Sequence, residues 1–246
     1  MKAVAVEGLS KSFGGIRALS DVSFRVEKGE RLVIIGPNGA GKTTLFNLIT
    51  GEIPPTHGRV FLFEEDVTHM PSHRRTRLGM ARTFQITNLF PNLTLRENIF
   101  LAVLGVNPQK FKMHQPVSSC KDIIDKIERL LAEWDLQGHT YTLVRNLSYG
   151  VQRQVEVIMA LSGGAKIVLL DEPTSGLSPA ETGTLTSMIL GLDPDVTLII
   201  IEHDMDVAFR LAHNMIVLHY GAVIAAGPPE SIKADAKVEE IYLGAE

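Results

Sequence analysis

Short apolar runs bounded by turn residues alternate along this chain with segments of helical period. That pattern predicts a mostly parallel sheet wrapped by helices. The runs Arg31–Ile35, Lys166–Leu170 and Val196–Ile201 are continuously apolar and rich in Leu or β-branched residues, as strands covered on both faces are. Val4–Leu9 and Val22–Val26 ahead of them, and Arg59–Phe63 after the first helix, read as strands of an antiparallel kind. Met215–Tyr220 and Val223–Ala226 flank Gly221-Ala222 as a hairpin.

The middle of the chain has a different period. Thr94-Leu95-Arg96-Glu97 is a capping box, so a helix is expected from Leu95 to about Leu104. A polar linker with Pro108 and Pro116 follows. Lys121–Leu136 then sets Ile123, Ile124, Ile127, Leu130, Leu131 and Trp134 on one face, with Gly138 as the expected stop and Trp134 in the core. The expected organisation is one domain over residues 1–246. Residues 1–85 and 162–246 form an α/β core with an antiparallel β subdomain, and 86–161 a helical subdomain.

Composition narrows the class without deciding it. With 45% hydrophobic and 21% charged residues in 246, the chain can bury a sizeable core. The net charge of −4 gives no basic footprint for nucleic acid, so no nucleic-acid partner is expected. The one dense basic stretch, His73–Arg77, reads as a solvated helix face. A single cysteine, Cys120, excludes an internal disulfide and fits a reducing compartment. The N-terminus lacks the apolar centre of a signal peptide, and no run reaches the roughly 18 apolar residues of a membrane span. A soluble protein is expected, with any membrane role exercised through partners.

The chemistry begins at Gly36-Pro37-Asn38-Gly39-Ala40-Gly41-Lys42-Thr43-Thr44. This is G-x4-G-K-[ST] between a strand and a helix, the context the motif requires. Glycines let the backbone curl its amides inward, and the helix over Thr43–Thr50 points its positive end at the same spot. Lys42 can reach β- and γ-phosphates, and the Thr43 hydroxyl can ligate Mg2+. Downstream, Ile167–Leu170 ends in Asp171-Glu172-Pro173, which sets Asp171 on the sheet edge to hold Mg2+ and Glu172 to polarise the attacking water. His203 follows the last core strand on the same edge and can bond a γ-phosphate. Gln85, after Thr83-Phe84, can sense both Mg2+ and movement of the helical insert. Leu147-Ser148-Tyr149-Gly150-Val151-Gln152 opens a helix and makes a second anion site. A second phosphate contact in a chain with one phosphate loop suggests that two domains share each nucleotide. Phe13 is placed to stack on adenine, a contact of about 1–3 kcal/mol.

These motifs, in this order and over essentially the whole chain, resemble the nucleotide-binding subunits of ABC transporters. The resemblance implies a P-loop NTPase fold and head-to-tail pairing. ATP would lie between one phosphate loop and the partner's LSxG segment, so that Ser148, Tyr149 and Gly150 act on the other subunit's ATP. Thr83-Phe84-Gln85, Leu89–Thr94, Ile201–Met205 and Ile241–Gly244 resemble more closely the branched-chain amino-acid uptake subclass, its ATPase subunit with the longer helical insert. Relatives of that subclass also serve urea and amides. The implied partners are a second ATPase subunit (a sister chain or another copy), two transmembrane permease subunits and an extracytoplasmic solute-binding protein. The implied location is peripheral, on the cytoplasmic face of the cell membrane. Two departures stand out: Tyr149 replaces a Gly of LSGGQ, and Val151 replaces its Gln, which removes a polar contact across the interface. A soluble ABC ATPase acting on DNA or ribosomes would carry two nucleotide domains or a long coiled coil. A P-loop GTPase would carry Asn-Lys-x-Asp, which the chain lacks.

Overall fold

A computed structural model describes residues 1–83, 89–106 and 121–243. They divide into two compact units. The first comprises Met1–Arg82, Lys166–Pro173 and Leu192–Glu246, and the second Thr83–Ala165 and Thr174–Gly191.

The first unit holds two sheets. One is antiparallel, in the order β2-β1-β4-β5, from β1 (Lys2–Phe13), β2 (Ile16–Glu27), β4 (His57–Leu62) and β5 (Glu65–Asp66). The other runs β10-β9-β3-β8-β7-β6, from β3 (Arg31–Ile35), β6 (Met80–Arg82), β7 (Ile167–Asp171), β8 (Thr197–Ile201), β9 (Asn214–His219) and β10 (Ala222–Gly227). Its strands are parallel except for the β9–β10 hairpin. All five residues of β7 and of β8 are buried, which is why those runs carry no polar alternation. β1 and β2 extend well beyond the apolar runs that announce them, because their paired outer ends lie mostly half-buried or exposed, where polar residues break the apolar run. Helix α1 (Lys42–Thr50) follows β3 and sinks Leu45, Phe46, Leu48 and Ile49 into a core shared with both sheets.

The short helix α2 (Ser72–Arg77) departs from the sequence reading. It is not a solvated basic face throughout: Arg75 is 1% exposed. Its guanidinium donates to the carbonyls of Leu48 (2.9 Å) and Ile49 (2.6 Å) at the end of α1, and to those of Thr68 (3.1 Å) and Met70 (2.9 Å). A planar five-donor fork can satisfy the orphan carbonyls of a helix terminus while complementing its negative end. Desolvation pushes the Arg75 pKa down to about 10, which leaves it charged at neutral pH.

The second unit is helical among its described residues: α3 (Leu95–Val106), α4 (Lys121–Glu133), α5 (Tyr149–Ser162) and α6 (Pro179–Leu190). Leu95 and Ile99 of α3, Ile127 and Leu131 of α4, Val155 and Ile158 of α5, and Leu185 and Ile189 of α6 are all buried. The Thr94–Glu97 box forms as read: the Thr94 amide donates to the Glu97 carboxylate at 2.7 Å, and the Glu97 amide to the Thr94 hydroxyl at 3.2 Å. Helix α4 stops before Gly138. Asp135 takes a left-handed φ of 52°, and the amides of Asp135 and Leu136 return to the carbonyls of Ala132 (3.2 Å) and Leu131 (2.8 Å). That Schellman pair ends the helix without a glycine. It also tucks Trp134 and Leu136 inward, at 7% and 3% exposed. In the first unit the chain closes with α7 (Met205–Leu211), α8 (Pro229–Lys233) and α9 (Ala236–Leu243).

Candidate functional site

Strand β3 lies between β8 and β9, and β7 lies on the far side of β8. The segments leaving β3, β7 and β8 therefore emerge from one edge of the sheet, at its carboxyl end, where open α/β folds bind ligands. From β3 comes the Gly36–Thr44 loop. Ala40 donates to the Pro37 carbonyl (3.1 Å) and accepts from Gly221 (3.0 Å), while Gly221 in turn accepts from the Ser20 amide (2.8 Å). The loop is thus gripped between β2 and the β9–β10 turn. Gly41 is the N-cap of α1 at φ 104°, and a Cβ there would meet the Ala18 carbonyl at 2.7 Å. No side chain can therefore be added at that point without shifting backbone. Gly41 also supplies no side-chain cap, which leaves the amides of the first turn of α1 directed outward at an anion's approach.

Lys42 opens α1 and is 7% exposed. Its ammonium lies on the loop itself, donating to the carbonyls of Gly36 (2.6 Å) and Pro37 (3.2 Å). Burial lowers its pKa, and the carboxylates of Glu172 and Asp171 oppose that shift. Both carboxylates therefore lie near enough to act on the charge of the lysine. Asn38, Gly39 and Thr43 are exposed, Pro37 and Thr44 half-buried, and Ala40 buried.

Asp171 ends β7 at 3% exposed. Arg82, at the end of β6, donates to its Oδ2 at 2.8 Å, to Asn47 Oδ1 of α1 at 2.6 Å and to Glu52 Oε1 at 3.0 Å. No motif marks this arginine in the sequence; its place at a strand end on the same sheet edge is the available signal. Glu172 takes a left-handed φ of 46°, a conformation that costs a non-glycine residue about 1–3 kcal/mol, while its amide donates to Ile201 of β8 at 3.0 Å. The turn swings the Glu172 carboxylate to 3.9 Å from His203 Nδ1. That is ion-pair range for a protonated imidazole and too long for a hydrogen bond. Glu202, also passed over in the sequence, is fully buried beside it and accepts from the His203 amide at 3.2 Å.

Phe13 is the last residue of β1 and half exposed, with Lys11 Nζ 5.1 Å from its ring centroid. Gln85 lies outside the described residues. In the second unit Ser148 caps α5, its hydroxyl accepting from the Val151 amide at 3.3 Å, with Tyr149 and Gly150 in the first turn.

Residues 19–175 match the family model described as ABC transporter. The chain is 36% identical to the high-affinity branched-chain amino acid transport ATP-binding protein BraF of Pseudomonas aeruginosa, over 97% of this chain and 96% of that one. It is 34% identical to the corresponding protein LivG of Escherichia coli, over 98% and 97%. Among solved structures, a nucleotide-free ATP-binding cassette from an ABC transporter superposes with a TM-score of 0.86 at 30% identity, over 98% of this chain and 99% of that one. An ATP-binding cassette in its ADP conformation gives 0.84 at 28% identity, over 99% of each.

Proposed function

The chain belongs to the ABC transporter family, as one of its ATP-binding and ATP-hydrolysing subunits, and from that premise we propose that it powers uptake of branched-chain or other hydrophobic amino acids. The observation that carries the solute class is the end-to-end likeness to relatives named for branched-chain amino acid transport.

In this reading the phosphates of ATP take over the donors that the loop now spends on itself. Lys42 leaves the Gly36 and Pro37 carbonyls for the β- and γ-phosphates, and the uncapped amides of α1 complete the cradle over Gly36–Thr44. Phe13, half exposed at a strand end, stacks on the base. Mg2+ binds through one or two carboxylates together with substrate phosphates and water. The exposed Thr43 hydroxyl and the Asp171 carboxylate, which Lys42 senses from the neighbouring position, fit that donor set, and Gln85 joins them. Bound there, the ion would draw charge from the β- and γ-phosphates. Glu172 holds the attacking water as general base, and His203 bonds the γ-phosphate.

Ser148, Tyr149 and Gly150 act on the ATP of a second ATPase subunit, either a sister chain or another copy. Closure of the pair drives two transmembrane permease subunits fed by an extracytoplasmic solute-binding protein. None of the described helices is long and apolar enough to cross a membrane; on this reading the chain attaches peripherally through those permeases, on the cytoplasmic face.

The Glu172→Gln chain tests the assignment. ATP affinity should be retained while hydrolysis falls by about 10²–10⁴-fold, the usual contribution of a general base. Hydrolysis at the wild-type rate would remove Glu172 from the mechanism. Uptake assays in vesicles carrying the co-purified complex, with leucine, isoleucine, valine and urea as competing solutes, test the substrate class. Preference for urea would redirect it.

A further inference from the structure

The N-terminus of α5, which the reading above turns toward a partner's ATP, is not an open anion site. Ser148 Oγ takes the Val151 amide at 3.3 Å. The Gly150 amide donates to the carboxylate of Glu181, from the first turn of α6. The side chain of Glu181 lies flat over Gly150: a Cβ placed there would fall 2.7 Å from its Cδ and 2.9 Å from its Cγ. The same carboxylate closes a capping box on α6, accepting from the Ser178 amide at 3.0 Å and the Ser178 hydroxyl at 2.7 Å. One anion thus serves the starts of two helices, and one of them carries the LSxG segment. These donors hold the Glu181 carboxyl below the usual range, the Ser178 hydroxyl and amide foremost and Gly150 after them, so at neutral pH it is an anion.

We propose that Glu181 is a further residue of the nucleotide-sharing step, an internal carboxylate seated on the Gly150 amide where the partner's γ-phosphate is to bind, which must move aside before the pair can close. Two anions cannot share one amide donor, and the like charge of Glu181 opposes the approaching phosphate. The residue type at position 150 follows from this arrangement. Only glycine leaves room for the carboxylate now and for a phosphate later.

This inference rests on the shared-site reading, and the test separates the two. In the Glu172→Gln background, ATP is titrated and dimer formation followed by light scattering, for the chain alone and mixed with the ATPase subunit that co-purifies with it. Glu181→Gln is then added. Glutamine keeps the capping box on α6, since the N3 position accepts Glu or Gln, but it removes the charge. The ATP concentration for half-dimerisation should fall about tenfold, the equivalent of one charge-assisted bond no longer competing. Glu181→Ala should shift it in the same direction with a lower Tm, because it also loses the box. An unchanged or higher threshold in both variants overturns the proposal and leaves the shared site standing. If Glu172→Gln forms no ATP-dependent dimer in either mixture, the shared-site reading itself is overturned, and this inference with it.

Discussion

Replacing Arg75 with methionine should be among the most damaging single changes far from the phosphates. Methionine keeps the apolar stem and removes the fork. Three of the guanidinium's bonds, to Leu48, Ile49 and Thr68, are buried. A bond from a charged donor contributes about 1.5–3 kcal/mol, so the gross loss is about 4–9 kcal/mol. Part of that returns, since the substitution also lifts the desolvation cost that pushes the arginine pKa down to about 10. The Leu48 carbonyl also keeps the Gly51 amide at 3.2 Å. A net loss of about 2–4 kcal/mol follows, or a Tm lower by about 4–16 °C for a chain of this size. Urea melts followed by circular dichroism measure it directly, with an unchanged m-value showing that the denatured state is not the cause. Arg75→Lys should fall between the two, because a point charge cannot reach four carbonyls. A loss below about 0.5 kcal/mol, the scale of an ordinary surface change, would refute the claim that this side chain closes α1.

Two further outcomes are expected. Lys42→Ala should weaken ATP binding by about a hundredfold, from loss of a charge-assisted phosphate contact and its field, as measured by fluorescent-nucleotide titration; undiminished binding would detach the lysine from the phosphates. Asp66 is held below its ordinary pKa, first by the Thr68 hydroxyl and then by the Thr68 amide. A carboxylate depressed in the folded state adds stability that is present above the unfolded value of about 3.9 and is lost as pH falls through the folded value. The Tm gap between wild type and Asp66→Ala should accordingly be widest near neutral pH and shrink below about pH 4. A gap that stays constant to pH 2.5 would contradict it.

The phosphate loop was legible because its chemistry is local. Glycines at fixed offsets, a lysine and a hydroxyl between a buried strand and a helix can be read without knowing what surrounds them. The core strands were legible for a similar reason, since burial on both faces leaves an unbroken apolar run. What escaped was set by distant partners. Arg75 sits in a basic stretch that looks wet, and only the carbonyls of Leu48 and Ile49 explain its burial. Arg82 has no motif of its own, and its meaning comes from Asp171 and Asn47. Ser178-Pro179-Ala180-Glu181 carries the same box signal as Thr94–Glu97 and could have announced α6. Its second duty, over Gly150, has no signature in sequence at all.

The grip on the phosphate loop bears on when the protein becomes competent during its synthesis. Ala40 is bonded to Gly221, and Gly221 to Ser20, so the loop is held by a strand made before it and a hairpin made long after it. A chain still emerging from the ribosome carries every residue of the motif early, with its lysine and glycines in order. It lacks the turn that fixes their shape until the last hairpin has been made. Closing so long a loop is slow and its reward comes late. Nucleotide capture should therefore wait for the β9–β10 hairpin, long after the motif itself has been made.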